Sequence, residues 1–203
     1  GRFRELRFED WFPAGEAGAG GDARRAQIRE ITADVEAFAI FGRVFRQVRL
    51  DAERTRDAWN VGVRSERASG RITVPLADGN APVGAVMERL WLVEDETAGT
   101  DAGDAGTDPR RLPALNARVE DFVLADMRLG RLEAEVVQRG DGVVVEPLQV
   151  TGRGFRITGN ALWVVTDGDP ARQRSELALK LTSDNLAATL AALGYDLLPR
   201  PGW

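Results

Sequence analysis

Over most of its length this chain alternates apolar and polar residues with a period of two. That period belongs to strands with one dry face and one wet face. Leu132, Ala134 and Val136 alternate with Arg131, Glu133 and Glu135, and Arg139-Gly140-Asp141-Gly142 then turns the chain into a run opening with Val143 and Val145. Val44, Val48, Leu50 and Ala52 share one parity against Gln47, Arg49, Asp51 and Glu53. Trp59, Val61 and Val63 continue the theme, as do Ile72, Val74 and Leu76, Phe155 and Ile157, and Leu177, Leu179 and Leu181. The stretch 86–93 is apolar on both parities and reads as a more buried strand. So many half-apolar strands imply a mainly β chain built on a mostly antiparallel sheet.

Helical spacing is confined to the end. Ser183 or Asp184 is placed to cap a short helix with Leu186, Leu190 and Leu193 as its buried stripe and Gly194 as its stop. A second helix at 23–32 would rest on Ile28 and Ile31 alone.

Two stretches interrupt the alternation. PAGEAGAGGDAR, 13–24, and the more acidic DETAGTDAGDAGTD, 95–108, are rich in Gly and Ala and read as flexible loops. The second divides the chain into a first β module (1–94), an acidic loop (95–108) and a second β module with the helix (109–203), both modules in one continuous sheet. Val35-Glu36-x-Phe38-x-Ile40 is echoed by Val119-Glu120-x-Phe122-x-Leu124, an offset of 84 (119 − 35). The same offset carries Phe45 onto Leu129, Val48 onto Leu132, Asp57 onto Asp141 and Val61 onto Val145, as expected of one β unit used twice.

Composition removes several kinds of chemistry. With no Cys there is no disulfide, thiolate metal site or cysteine nucleophile, and with no His the commonest general base and metal ligand are missing. A net charge of −5 argues against nucleic acid as a partner. Asp101, Asp104 and Asp108 lack the spacing of a calcium loop, so no metal is expected. The glycines of 152–159 do not match a dinucleotide fingerprint, and no cofactor is expected. The basic stretch Arg43, Arg46, Arg49, Arg54 and Arg56 is broken by Asp51, Glu53 and Asp57 and reads as a solvated strand face. No carboxylate pair stands out, and the chain is not read as an enzyme. No apolar run approaches the ~18 residues of a membrane-spanning helix.

The motifs resemble a known family. Leu112-Pro113-Ala114-Leu115, Val119-Glu120-Asp121-Phe122 and Leu129-Gly130-Arg131-Leu132 are similar to the AsmA-like proteins of Gram-negative envelopes, with the YhdP branch as the nearest likeness. Ser69 to Pro75 resembles that branch's "GxlxlP" strand, Thr158 to Trp163 its closing "sGxW" strand with extra residues, and Leu181 to Tyr195 its terminal helix. The resemblance covers roughly residues 43–195. It implies a C-terminal-side segment of a long periplasmic protein, anchored in the inner membrane by a part not present here. In that family an elongated, strongly curved β-sheet, a groove or taco-like half barrel, carries phospholipid between the inner and outer membranes.

On that resemblance the partners are phospholipid acyl chains and the rest of the same long protein. The groove residues would be Val48, Leu50, Val61, Val63, Leu132, Ala134, Val136, Val143 and Val145. A groove would offer an acyl chain about 0.8 kcal/mol per buried CH₂. The alternation itself leaves a second expectation open. A structural β module of the envelope, closed over its own core and carrying no lipid, would show the same pattern.

Overall fold

The computed structural model describes residues 1–7, 29–40, 43–76, 81–93 and 108–194. The loop 13–24, most of the acidic loop with Asp101 and Asp104, and residues 23–28 of the second helix considered above lie outside these. Within them, eleven strands form one sheet: β1 (Arg2–Arg7), β2 (Glu30–Ile40), β3 (Arg43–Arg54), β4 (Ala58–Arg64), β5 (Ala68–Pro75), β6 (Val83–Leu92), β7 (Leu115–Leu124), β8 (Met127–Arg139), β9 (Gly142–Gly152), β10 (Phe155–Val165) and β11 (Gln173–Ser183). Each strand lies beside its neighbour in sequence, and among the described residues β1 and β11 remain as free edges, so the sheet is open rather than a barrel. Glu30 to Thr32 belong to β2, so this part of the 23–32 stretch is strand and not helix.

Eight of the ten pairings are antiparallel, most of them through short hairpins. Arg139 pairs with Gly142, which leaves Gly140 and Asp141 as a two-residue turn, as the alternation on either side implied. The two exceptions to the antiparallel expectation are β1–β2 and β6–β7, which are parallel. Their registers correspond: Phe3 faces Val35 and Leu6 faces Phe38 in the first, Met87 faces Val119 and Leu90 faces Phe122 in the second, each number 84 higher. The next hairpins repeat as well, with Val35–Val48 matched by Val119–Leu132 and Ala52–Val61 by Val136–Val145. The correspondence lapses at β5 and β10, where Val61 faces Ile72 but Val145 faces Ala161.

Alternation does not hold along the whole of each strand. On β2 and β3 the buried positions run Ala33, Val35, then Phe38, and Phe45, then Val48, Leu50 and Ala52. Both strands change parity at one level, where Gln47 takes a positive φ of 51°. The buried aromatic is therefore Phe45, while Val44, on the expected parity, is only half-buried. β6 shifts likewise, from Val83 and Met87 to Leu90 and Leu92, and leaves Val86 exposed, so 86–93 is a one-sided strand after all. In β8 the shift falls at Gly130, with φ +85° and a notional Cβ only 2.6 Å from the Thr151 carbonyl oxygen, where only glycine fits. In β9, Glu146 and Pro147 add one residue between Val145 and Leu148 relative to both neighbours, which places a proline in a central strand at a bulge.

The terminal helix is α1 (Leu186–Ala192). Its cap is Asn185, whose side chain accepts from the Ala188 amide at 3.0 Å, rather than Ser183 or Asp184. Ser183 serves differently: its hydroxyl meets the Thr189 hydroxyl at 2.7 Å, and Thr189 is fully buried. Leu193 packs on the core and Leu190 is half-buried, but Leu186 points to solvent. Of the expected stripe, Leu190 and Leu193 face the sheet together with Thr189, and Leu186 does not.

Candidate functional site

Following the pairings across the sheet turns the alternating residues into continuous rows on one face. One row is Ala33, Leu50, Val63, Gly70, Met87, Val119, Leu132, Val150, Ile157 and Leu181. The row beside it is Ile31, Ala52, Val61, Ile72, Ala85, Ala117, Ala134, Leu148, Gly159 and Leu179. A third, shorter row runs Val83, Leu115, Val136, Val145, Ala161 and Leu177. None of the three contains a charged residue from β2 to β11. Directly opposed apolar side chains stabilise a sheet pairwise, so each row is a line of cross-strand contacts.

Of the groove residues expected from sequence, seven lie on these rows: Leu50, Val63 and Leu132 on the first, Val61 and Ala134 on the second, Val136 and Val145 on the third. Val48 faces Val35, and Val143 faces Gln138 and Trp163, each one step beyond the rows. Met87, Val119 and Leu148 also lie on the rows; Val119 keeps the parity of Leu115 and Ala117, whereas Leu148 follows the bulge at Glu146 and Pro147 and stands on the opposite parity to Val145.

Burial varies along the rows. Val48, Leu50, Val61 and Val63 are 1–3% exposed, and with Phe38, Phe45, Val119 and Phe155 they belong to one packed cluster. Val143 is buried too, while Leu132, Ala134, Val136 and Val145 are half-buried. At β11 the rows end in leucines that are 64% (Leu177), 49% (Leu179) and 39% (Leu181) exposed. The apolar face is thus covered at β3–β4 and uncovered at β11.

The opposite face is polar and tied by cross-strand pairs. Asp51 accepts from Thr32 at 3.2 Å and pairs with Arg64, Ser69 donates to Glu88 at 2.9 Å, and Arg118 meets Glu133 at 3.2 Å. A groove of about 1360 Å³ opens on this polar face, bordered by Arg29, Asp51, Arg64, Arg71, Thr73 and Glu88, with Gly62 and Gly84 in its floor. Arg49, read from the sequence as part of a solvated strand face, sits beside Asp51 at 3.7 Å. At the far end of β6–β8, Trp91 donates its indole N–H to Asp121 at 3.0 Å, Arg128 grips the same carboxylate through two bonds, and Arg89 lies over the indole.

Three carboxyls are held below the usual aspartate range. For Asp51 the main cause is the hydrogen bond from Arg64, for Asp121 that from Arg128, and for Asp108 that from Arg110. All three are structural clasps on charged pairs rather than poised acids. Among the described residues no group of acidic side chains is arranged to hold a metal ion, and no helix is long and apolar enough to cross a membrane.

A family model described as YhdP protein matches residues 1–198. No curated protein and no solved structure shows significant similarity to the chain.

Proposed function

The chain belongs to the YhdP family of AsmA-like envelope proteins, and from that premise we propose that it is a periplasmic segment of a lipid-transfer bridge. Phospholipid acyl chains travel along the apolar face of its sheet between the inner and outer membranes, and the remainder of the same protein continues the path. The observation that carries this reading is the set of three uncharged rows that reach β11 with their leucines open to solvent. Each CH₂ laid against such a surface is stabilised by about 0.8 kcal/mol, and sliding along a row breaks no covalent bond. Transfer of this kind requires no catalytic group, so the proposed role is not enzymatic.

We extend the reading to shape and origin. The sheet is strongly curved, and it derives from two related β units, which the registers repeated at an offset of 84 support. The two halves divide the work. The near-complete burial of Val48, Leu50, Val61 and Val63 favours the structural reading for β2–β5, a closed core that serves as scaffold. Lipid contact then falls to Leu132, Ala134, Val136 and Val145 with Leu177, Leu179 and Leu181.

Photo-crosslinking in cells tests the division. A photoreactive residue at Leu179 should capture phospholipid, whereas one at Lys180, on the opposite face, or at buried Val63 should not. Capture from Leu179 and Lys180 alike would signal non-specific membrane contact and overturn the reading, and so would absence of capture from Leu179.

A further inference from the structure

β11 is unlike the other strands. All eleven of its residues pair with β10 without a bulge, yet ten of the eleven are exposed, and among the described residues no strand takes its outer edge. Such an edge presents a row of unmatched amide and carbonyl groups, and proteins usually blunt it with proline, bulges or charged side chains such as lysine; the charges of β11 are of both signs, Arg174, Glu176 and Lys180. β11 has no proline and no bulge against β10. The opposite edge, β1, is six residues long and carries three arginines, a sequence that repels a copy of itself.

We infer that β11 recognises β11 of a second copy of this chain, antiparallel about a two-fold axis through Ala178. The argument is charge complementarity. On the polar face β11 presents Arg174, Glu176, Ala178, Lys180 and Thr182. An antiparallel two-fold through Ala178 sets Glu176 opposite Lys180 of the second copy, and Lys180 opposite its Glu176. Arg174 meets Thr182, and the small Ala178 meets itself.

Other face-preserving registers lose this match. An axis through Glu176 or Lys180 opposes like charges, one through Leu177 sets Arg174 against Lys180, and one through Leu179 leaves Glu176 facing Thr182. Shifting by a single residue would exchange the faces. Within one chain Lys180 faces Thr158 and Glu176 faces Leu162 across β10, so neither has an oppositely charged partner directly across the ladder. Arg174 of the same strand reaches Glu176, while among the described residues Lys180 has no carboxylate. The same axis sets Leu177 against Leu179 of the second copy on the apolar face. The contact is isologous and closes on itself, giving a dimer rather than a fibre.

The chain has no cysteine, which makes the geometry directly testable on the purified protein. A178C should be bridged to a dimer by a short bifunctional thiol reagent much faster than D126C, a control on the exposed β7–β8 turn. Sedimentation velocity should show a reversible monomer–dimer equilibrium in the parent chain. K180E, which places like charges across the axis twice, should weaken it by about tenfold or more. E176K/K180E, which restores opposite charges, should recover much of that loss. A chain that stays monomeric at several hundred micromolar overturns the inference. It is also overturned by a dimer indifferent to K180E, by one that the double swap fails to recover, or by A178C bridging no faster than D126C.

Discussion

Leu50 and Leu179 are the same residue type at the two ends of the burial gradient, and their truncation to alanine measures it. Leu50 is 2% exposed and lies between Ala33 on β2 and Val63 on β4, both buried. Those neighbours are short and anchored in ladders on both sides, so they cannot swing into the space left by the removed carbons. Leu50→Ala should therefore lose both the transfer free energy and a cavity term, about 3 kcal/mol. Leu179 is about half exposed and lines no enclosed space. Leu179→Ala removes three carbons whose burial is half complete, about 1 kcal/mol at ~0.8 kcal/mol per CH₂ and without a cavity. For a chain of this size the corresponding falls in melting temperature are about 6–12 °C and about 2–4 °C. Urea unfolding followed by circular dichroism, with unchanged m-values, is the assay. Equal losses at both sites would show that β11 is covered by protein in solution and that the gradient is not real.

Other consequences follow from the same contacts. Asp51, Asp108 and Asp121 have pKa values depressed by Arg64, Arg110 and Arg128, so the stability they confer is present above the unfolded aspartate value of ~3.9 and is lost as pH falls through the folded values. The melting temperature should drop in acid below about pH 4, and Asp121→Asn should flatten that drop, as thermal scans across the acid range would show; an unaltered acid profile in Asp121→Asn would count against the clasp. Gly130→Ala should destabilise far more than Gly154→Ala in urea titrations, because both have positive φ but only Gly130 has backbone within 3 Å of the added Cβ. Asn185→Ala should cost about 1 kcal/mol of helix stability, read as faster amide exchange in α1, while Asp184→Ala should leave exchange unaltered.

Much of the sheet was legible from period two, since the side-chain period of a strand depends only on backbone pleat. Leu50, Val63, Leu132, Val136 and Val145 were placed on a common apolar face from parity alone, and the pairings put them there. What parity could not carry is any place where the pleat is interrupted. The exchange of Val44 for Phe45 turns on Gln47, a residue with no marked preference for positive φ, so the sequence holds no local signal for it. The cap was missed for a different reason. Ser183, Asp184 and Asn185 are all competent N-caps, and Ser183 is drawn away by Thr189. Nor does alternation distinguish a covered face from an open one, because Leu50 and Leu179 occupy identical patterns and differ only in what lies above them.

The parallel joints were legible in principle, through loop length rather than period. Antiparallel neighbours can be joined by two residues, but a parallel neighbour requires the chain to return the full length of a strand, a dozen residues or more. The connection from β1 to β2 is residues 8–29 and that from β6 to β7 is residues 93–114, equal at 22 each. These spans contain the two Gly- and Ala-rich stretches that interrupt the alternation, the second of which the sequence presents as the module boundary. A boundary and a crossover look alike in composition and differ in consequence: a boundary would separate two sheets, whereas a crossover allows β7 to add to β6 and the rows to continue. Equal connectors followed by equal registers are what duplication of one strand–crossover–meander unit would leave behind. The joint at β6–β7 is also where such a unit can be added without a break in the apolar face, because Met87 meets Val119 and Leu90 meets Phe122 across it. On the proposed function this matters more than the ancestry. The apolar face is unbroken at the joint, so lengthening the protein by further units would extend that face without adding a polar step.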